Sequence, residues 1–170
     1  MKITPDGAQK LTKSLEEERK QLVEKIDKLS TFVVAVSEGD PEELRPEFDF
    51  MKTVKEIEDI DIKIRKIKHA RNVFNTTTYL SDENIPVDEA LILMAMLNKN
   101  YGYYIELGNQ EKRERYNNDS RYGSKEIEYI YANYDIQAAK EYGKNMYERM
   151  LEIQSKLNFV NSTYNFEVDL

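Results

Sequence analysis

The sequence predicts an all-α protein: an antiparallel bundle of about four long, coiled-coil-like helices with one small two-stranded β ribbon. Three observations carry this expectation. Leu15, Leu22, Leu29 and Val36 recur every seven residues, the spacing of a helix seam. From Phe50 onward a second stretch holds two such tracks, Phe50, Ile57, Ile64 and Ile60, Ile67, Phe74. The segment Ala90-Leu91-Ile92-Leu93-Met94-Ala95-Met96-Leu97 is apolar on every side, and a helix without a polar face is normally enclosed by protein.

The first helix is expected from about Thr4 or Asp6 to Val36, with Leu11, Ile26 and Val33 flanking its seam. Its opposite face carries Lys13, Glu16, Glu17, Arg19, Lys20, Glu24 and Lys28. Gly39 and Pro41 stop it, since Gly relieves the backbone and Pro cannot continue a helix. Pro46 suits the first turn of the second helix, which runs to about Phe74 and folds back as an antiparallel hairpin over 4–74. Residues 75–86 form a polar connection. The third helix is expected over about 86–107, opening at Pro86-Val87-Asp88-Glu89, whose acids favour a helix N-terminus. It belongs at the centre of the bundle or at a subunit interface.

Residues 108–124 read as a polar surface loop. Glu126 to Tyr131 alternate as a short strand. A fourth helix starts near Asp135 on the tracks Ile136, Gly143, Met150, Leu157 and Ala139, Met146, Ile153, Val160. Ala139 and Gly143 permit a close helix approach. The terminal Phe166-Glu167-Val168-Asp169-Leu170 alternates again, and the two strands offer a ribbon within the chain or between chains. The whole of 1–170 is expected to be one helical domain.

With 170 residues the chain can bury a sizeable core. Charged residues make up 34% and apolar residues 40%, the balance of a soluble, helix-rich protein. No apolar run approaches the roughly 20 residues that span a membrane, and Met1 to Gly7 hold no signal-peptide core. The expectation is a cytoplasmic protein of a bacterium, or of a phage-infected bacterium, with no membrane partner. Cysteine is absent and His69 is the single histidine, so thiol chemistry is excluded and neither a metal site nor a cofactor is expected. A net charge of −7 argues against general nucleic-acid binding, which needs fields of lysine and arginine. It leaves room for a small anion on a local arginine cluster.

Two constellations attract attention. The apolar track of the second helix is interrupted by Arg71, followed by Asn72, Asn75 and the run Thr76-Thr77-Thr78. Arg71 and Asn75 are four apart and share a face. One reading is a structural cap, in which Asn75 and the threonines close the helix and Arg71 pairs with Asp88 or Glu89. The other is an anion pocket, because a charge on a buried seam needs a partner. Asn72, Asn75 and Thr77 would then hydrogen-bond the ligand that Arg71 grips. The second constellation interleaves Arg113, Arg115, Tyr116, Arg121 and Tyr122 with Tyr129, Tyr131 and Tyr134. Tyrosine rings stack on bases and arginines hold phosphates; the alternative is a solvated loop. There is no P-loop, no dinucleotide fingerprint and no nucleophile elbow, so an enzyme is not expected.

Several segments, in order, resemble the septicolysin-like family of small bacterial proteins. The matching stretches are Glu38-Gly39-Asp40-Pro41, Ala70-Arg71-Asn72-Val73-Phe74-Asn75-Thr76 and Asp88-Glu89-Ala90-Leu91. Later ones are Arg121-Tyr122-Gly123-Ser124-Lys125-Glu126-Ile127, Ile153-Gln154 and Asn158. The tryptophan that commonly follows the terminal asparagine of that family is absent here, with Phe159 or Phe166 in its place. The resemblance implies a helical fold with a Leu-rich first helix; it implies no lytic mechanism.

Together these readings predict a homo-oligomeric, non-enzymatic binding protein that captures a small anionic, nucleotide-like ligand. Arg71, Asn72, Asn75 and Thr77 would form the clamp, and Arg115, Arg121 and Tyr122 the closing side. A sponge for a signalling molecule in viral counter-defence would fit this reading. The alternatives are a structural or protein-interaction coiled-coil module, a pore-former or an enzyme.

Overall fold

The computed structural model describes residues 1–37, 39–116 and 127–170. Its described residues are mainly helical. The helices are α1 (Pro5–Leu29), α2 (Phe50–Thr77), α3 (Val87–Gly108) and α4 (Ile136–Thr163). Six short strands, β1 (Lys2–Ile3), β2 (Tyr79–Leu80), β3 (Ile85–Pro86), β4 (Arg113–Arg115), β5 (Tyr129–Tyr131) and β6 (Phe166–Glu167), pair two by two. The chain divides into two compact units, Met1–Thr78 with Phe159–Leu170, and Tyr79–Asn158.

In the first unit, α1 is opened by Thr4, whose hydroxyl accepts the Gly7 N–H at 3.1 Å, with Pro5 in the first turn. That is the arrangement expected of a capping Thr followed by Pro. The helix stops at Leu29, seven residues short of the expected Val36. The missing part, Thr31 to Val36, is rich in β-branched residues, which lose rotamer freedom in a helix. It also buries little: Val33 and Val36 are fully exposed. Short helices are sustained by burying a face rather than by propensity, so this run gains little from winding. The connection to α2 is therefore longer than expected. Helix α2 begins after Asp49, whose carboxylate accepts the Lys52 N–H at 2.9 Å, and not at Pro46.

Helices α1 and α2 run antiparallel. Glu16 meets Lys68 at 2.8 Å and Arg19 meets Asp61 at 2.7 Å, so later residues of α1 face earlier ones of α2. Both pairs are solvent-exposed and screened by water; they mark register more than they stabilise. Stability comes from the seam, where Ala8, Leu15, Ile60, Ile64 and Ile67 are buried together with Val168. The seven-residue tracks of α2 bury Ile60, Ile64, Ile67 and Phe74, whereas Phe50 is left half-exposed. The core is completed by the chain ends: β1 pairs with β6, Ile3 opposite Phe166, and the Phe166 ring lies 5.2 Å from that of Phe74.

In the second unit, β2 and β3 form a tight hairpin whose turn puts Asn84 at φ 52°, a left-handed conformation that asparagine tolerates. Helix α3 buries Val87, Ala90, Leu97 and Gly108. It is not enclosed within one chain, contrary to its placement at a bundle centre: Ile92, Met96 and Tyr103 are each nearly 60% exposed. Helix α4 opens at Asp135, whose carboxylate accepts the N–H groups of Gln137 and Ala138. Its residues 136–158 belong to this unit. Both expected tracks face inward, with Ile153 and Leu157 buried here and Val160 buried in the first unit. The close approach expected at Gly143 is present: a Cβ there would stand 3.0 Å from Ile105 Cδ1.

The ribbon expectation is corrected in its pairing. The strand ending at Tyr131 and the C-terminal strand do not pair with each other. Tyr129–Tyr131 pairs with Arg113–Arg115, inside the segment expected to be loop, and Phe166–Glu167 pairs with Lys2–Ile3. Two-residue partners and the fully exposed triplet Arg113-Glu114-Arg115 carry no alternation for a sequence reading to detect.

Candidate functional site

The Arg71 cluster lies in the last two turns of α2, within the first unit. Arg71 and Asn75 are half-buried on one face of the helix, while Asn72 and Thr77 are exposed. The threonines bond within their own helix: Thr76 and Thr77 donate to the Val73 carbonyl at 2.9 and 2.8 Å, the back-bond to the preceding turn that threonine makes in helices. The Thr77 hydroxyl proton is thus engaged within the helix. Arg71 differs, because among the described residues it enters no ion pair and no hydrogen bond. Its suggested partners are also unpaired: among the described residues Asp88 and Glu89 take part in no ion pair, and Asp88 Oδ1 is buried without a hydrogen-bond partner. His69 is exposed, as expected of a histidine amid lysines and arginines.

Arg115 belongs to the second unit, on β4. Register places Arg113 opposite Tyr131 and Arg115 opposite Tyr129, and the Arg113 guanidinium sits 4.5 Å from the Tyr129 ring centroid, within cation–π range. Arg121 and Tyr122 lie outside the described residues. In the first unit Arg71 shares a face with Asn75, and in the second Arg113 and Arg115 pair with Tyr131 and Tyr129.

A third group is not foreseen by the sequence. Glu83, in the β2–β3 turn, receives Lys156 Nζ at 2.6 Å and also the guanidinium of Arg149. Its side chain is only 13% exposed. Arg149 also holds Glu152 at 2.8 Å, and Lys156 lies 3.8 Å from Asp82. Hydrogen bonds from Lys156 and Arg149 hold the Glu83 carboxyl below its ordinary value near 4.5. The bond to Glu83 likewise raises the Lys156 ammonium above 10.5. Every charge in this knot has a partner, so it pins the hairpin to α4 and leaves nothing for a ligand. Nothing in the residue pattern links Glu83 to a partner 66 positions away, so no sequence reading reaches it.

The sign of the pH effect follows. A carboxyl depressed on folding stabilises fully above its unfolded value and loses that contribution as pH falls through its folded value. The Lys156 contribution is lost in turn at strongly alkaline pH. Glu83→Ala is expected to lower the melting temperature at pH 7 and to leave it unchanged at a pH low enough for the native carboxyl to be protonated as well. Thermal denaturation of both proteins at neutral and strongly acidic pH checks this.

Among the described residues, open depressions are found in the first unit. One, of about 710 Å³, lies by the end of α1 and is lined by Gln21, Glu24, Lys25, Asp27, Lys28 and Leu29. Its two acids and two lysines cancel, so it favours neither sign of ligand. Another, of about 480 Å³, is lined by Phe32, Val33, Val34, Leu44 and Pro46 of the α1–α2 connection. Among the described residues no group of three or more His, Asp or Glu is arranged to hold a metal ion. No helix among them is long and apolar enough to cross a membrane.

No family model matches the chain, and no curated protein matches it. A solved structure does: the crystal structure of a functionally unknown conserved protein from Corynebacterium diphtheriae. It covers 98% of this chain and 100% of its own, with a TM-score of 0.62 and 17% sequence identity. At that identity the likeness shows the fold alone.

Proposed function

We propose that this protein is a non-enzymatic binding protein that captures a small anionic, nucleotide-like ligand and works as a homo-oligomer. The observation that carries the reading is Arg71: half-buried, on the seam side of α2, with Asn75 one turn on and no ion pair among the described residues. A partly desolvated guanidinium without a carboxylate is a strong receptor for a phosphate or carboxylate, which it grips in two parallel hydrogen bonds. Self-association is supported by α3, whose Leu91, Ile92, Met96 and Tyr103 are exposed in the single chain. Sequestration of a signalling molecule in the cytoplasm of a phage-infected bacterium is the role we propose. The septicolysin-like resemblance fits beside this reading without adding a mechanism to it.

The same exposed face of α3, with the bare Val33 and Val36 of the connection, favours a second reading, a protein-interaction module without a small ligand. Gentle purification followed by native and denaturing mass spectrometry separates the two. The binding reading expects an oligomer carrying a discrete extra mass released on denaturation. Arg71→Ala is expected to weaken capture of that species about tenfold or more, the loss typical of one charge-assisted contact, with unchanged melting of the apo protein. Unchanged affinity sinks the clamp. An unchanged ligand-free oligomer whose assembly needs Ile92 and Met96 selects the interaction module.

A further inference from the structure

The β4–β5 ribbon segregates its side chains. Residues directly opposite in an antiparallel pair share a face, and neighbours along a strand alternate between faces. The register Arg113↔Tyr131 and Arg115↔Tyr129 therefore gathers two arginines and two tyrosines on one face, while Glu114 and Ile130 fall on the other. All six residues are exposed. In a chain of net charge −7, arginines at the surface readily find carboxylates. Yet among the described residues neither Arg113 nor Arg115 enters an ion pair. Arg113 instead lies over the Tyr129 ring at 4.5 Å, which holds its charge on the aromatic face without neutralising it.

The ring spacing is informative as well. Tyr129 and Tyr131 have centroids 6.3 Å apart with a 57° tilt. Stacked nucleobases lie about 3.4 Å apart, so a planar base held between two rings needs about twice that distance. Both rings are exposed. Parallel rings at that separation would leave a slot of about the right width, flanked by Arg113, whose guanidinium lies over Tyr129, and by Arg115, opposite Tyr129 in register.

We propose that the arginine–tyrosine face of this ribbon binds nucleoside polyphosphates, with Tyr129 and Tyr131 sandwiching the base and Arg113 and Arg115 holding the phosphates. The occupant is fixed by complementarity: a flat π system for the rings and multiple negative charges for the unpaired guanidinia. This deepens the nucleotide-like reading of the ligand but does not depend on Arg71. Glu114 and Ile130, on the other face, take no part.

ATP and tripolyphosphate are the probes, compared by calorimetric titration of the full chain at low and moderate salt. They carry similar charge, and only ATP has a base. ATP is expected to bind at least about fivefold more tightly than tripolyphosphate, the lower end of what one stacked base contributes. Tyr129→Leu combined with Tyr131→Leu should bring ATP down to the tripolyphosphate level. Arg115→Gln should weaken both ligands, and Glu114→Gln should not weaken either. Circular dichroism checks that each variant stays folded, and Arg115→Gln tests the face without touching a ring. The proposal is overturned if ATP and tripolyphosphate bind alike, if neither binds, or if the tyrosine variant keeps the preference. It is also overturned if Arg71→Ala alone abolishes ATP binding, a result that would keep the clamp and discard the ribbon. A co-purified ligand that survives all ribbon substitutions would likewise discard the ribbon and keep the general binding reading.

Discussion

Gly108→Ala is expected to destabilise the second unit by about 3 kcal/mol, at the upper end of the cost of overpacking, and to lower the melting temperature by roughly 10 °C. A Cβ on Gly108 would stand 2.6 Å from Lys140 Cβ, 2.7 Å from its Cα and 2.9 Å from its backbone nitrogen. The obstacle is backbone, which cannot swing aside as a side-chain tip can. Helices α3 and α4 must separate locally or the end of α3 must unwind. Gly102 supplies the control. It lies in the same helix, and a methyl group added there would meet nothing within 4 Å. There the only consequence of alanine is a better helix former, worth about 0.5–1 kcal/mol of added stability. The two substitutions are chemically identical and should have opposite signs in thermal or urea denaturation. Equal effects would show that α3 and α4 do not meet so closely.

That contrast also shows how far the residue pattern reaches. The tracks of α4 place Ile153, Leu157 and Val160 inward, and all three are buried. The small residue Gly143 marks a close approach because it sits on such a track. Gly108 gives no such signal, because it ends a helix, where glycine is ordinary. Periodicity also overruns α1. Val33 and Val36 continue the spacing of Leu15, Leu22 and Leu29, yet spacing alone cannot reveal whether a surface exists to bury them. Val33 is 97% exposed, and the helix ends before it.

The candidate site is legible in the same partial way. Arg71 stands out because a charge breaks an apolar track, and the structure leaves it half-buried and, among the described residues, unpaired. Thr77 reads from the sequence as a ligand partner; its hydroxyl donates to the Val73 carbonyl, a local bond that threonine commonly makes in a helix. The ribbon partners of Tyr129 and Tyr131 are not legible. Arg113-Glu114-Arg115 has no apolar residue to alternate, so its strand is defined by backbone pairing that composition does not record. The Glu83 knot depends on where a turn meets a helix far along the chain, information that belongs to tertiary structure alone.

Ile67→Ala is expected to cost about 3–4 kcal/mol, within the range for emptying a fully buried aliphatic position. Ile67 is 1% exposed and belongs to the cluster of Ala8, Leu15, Ile60, Ile64 and Val168. Removing its outer carbons leaves a cavity bordered by two helices and the C-terminal segment, so few neighbours can relax inward. Ile62→Ala, on the same helix at 42% exposure, should cost under about 1 kcal/mol, because much of the side chain already meets water. The position of the cavity gives a second readout. The N–H of Val168 donates to the Met1 carbonyl at 2.8 Å, and Val168 is itself a member of the cluster. If the terminal ribbon is held by the hairpin core, Ile67→Ala should speed hydrogen exchange at Val168 far more than at mid-helix amides of α1, since a ribbon of two-residue strands has little stability of its own. Uniform acceleration across the first unit would mean that ribbon and hairpin open together, and loss of protection at α1 before Val168 would reverse the dependence of ribbon on core.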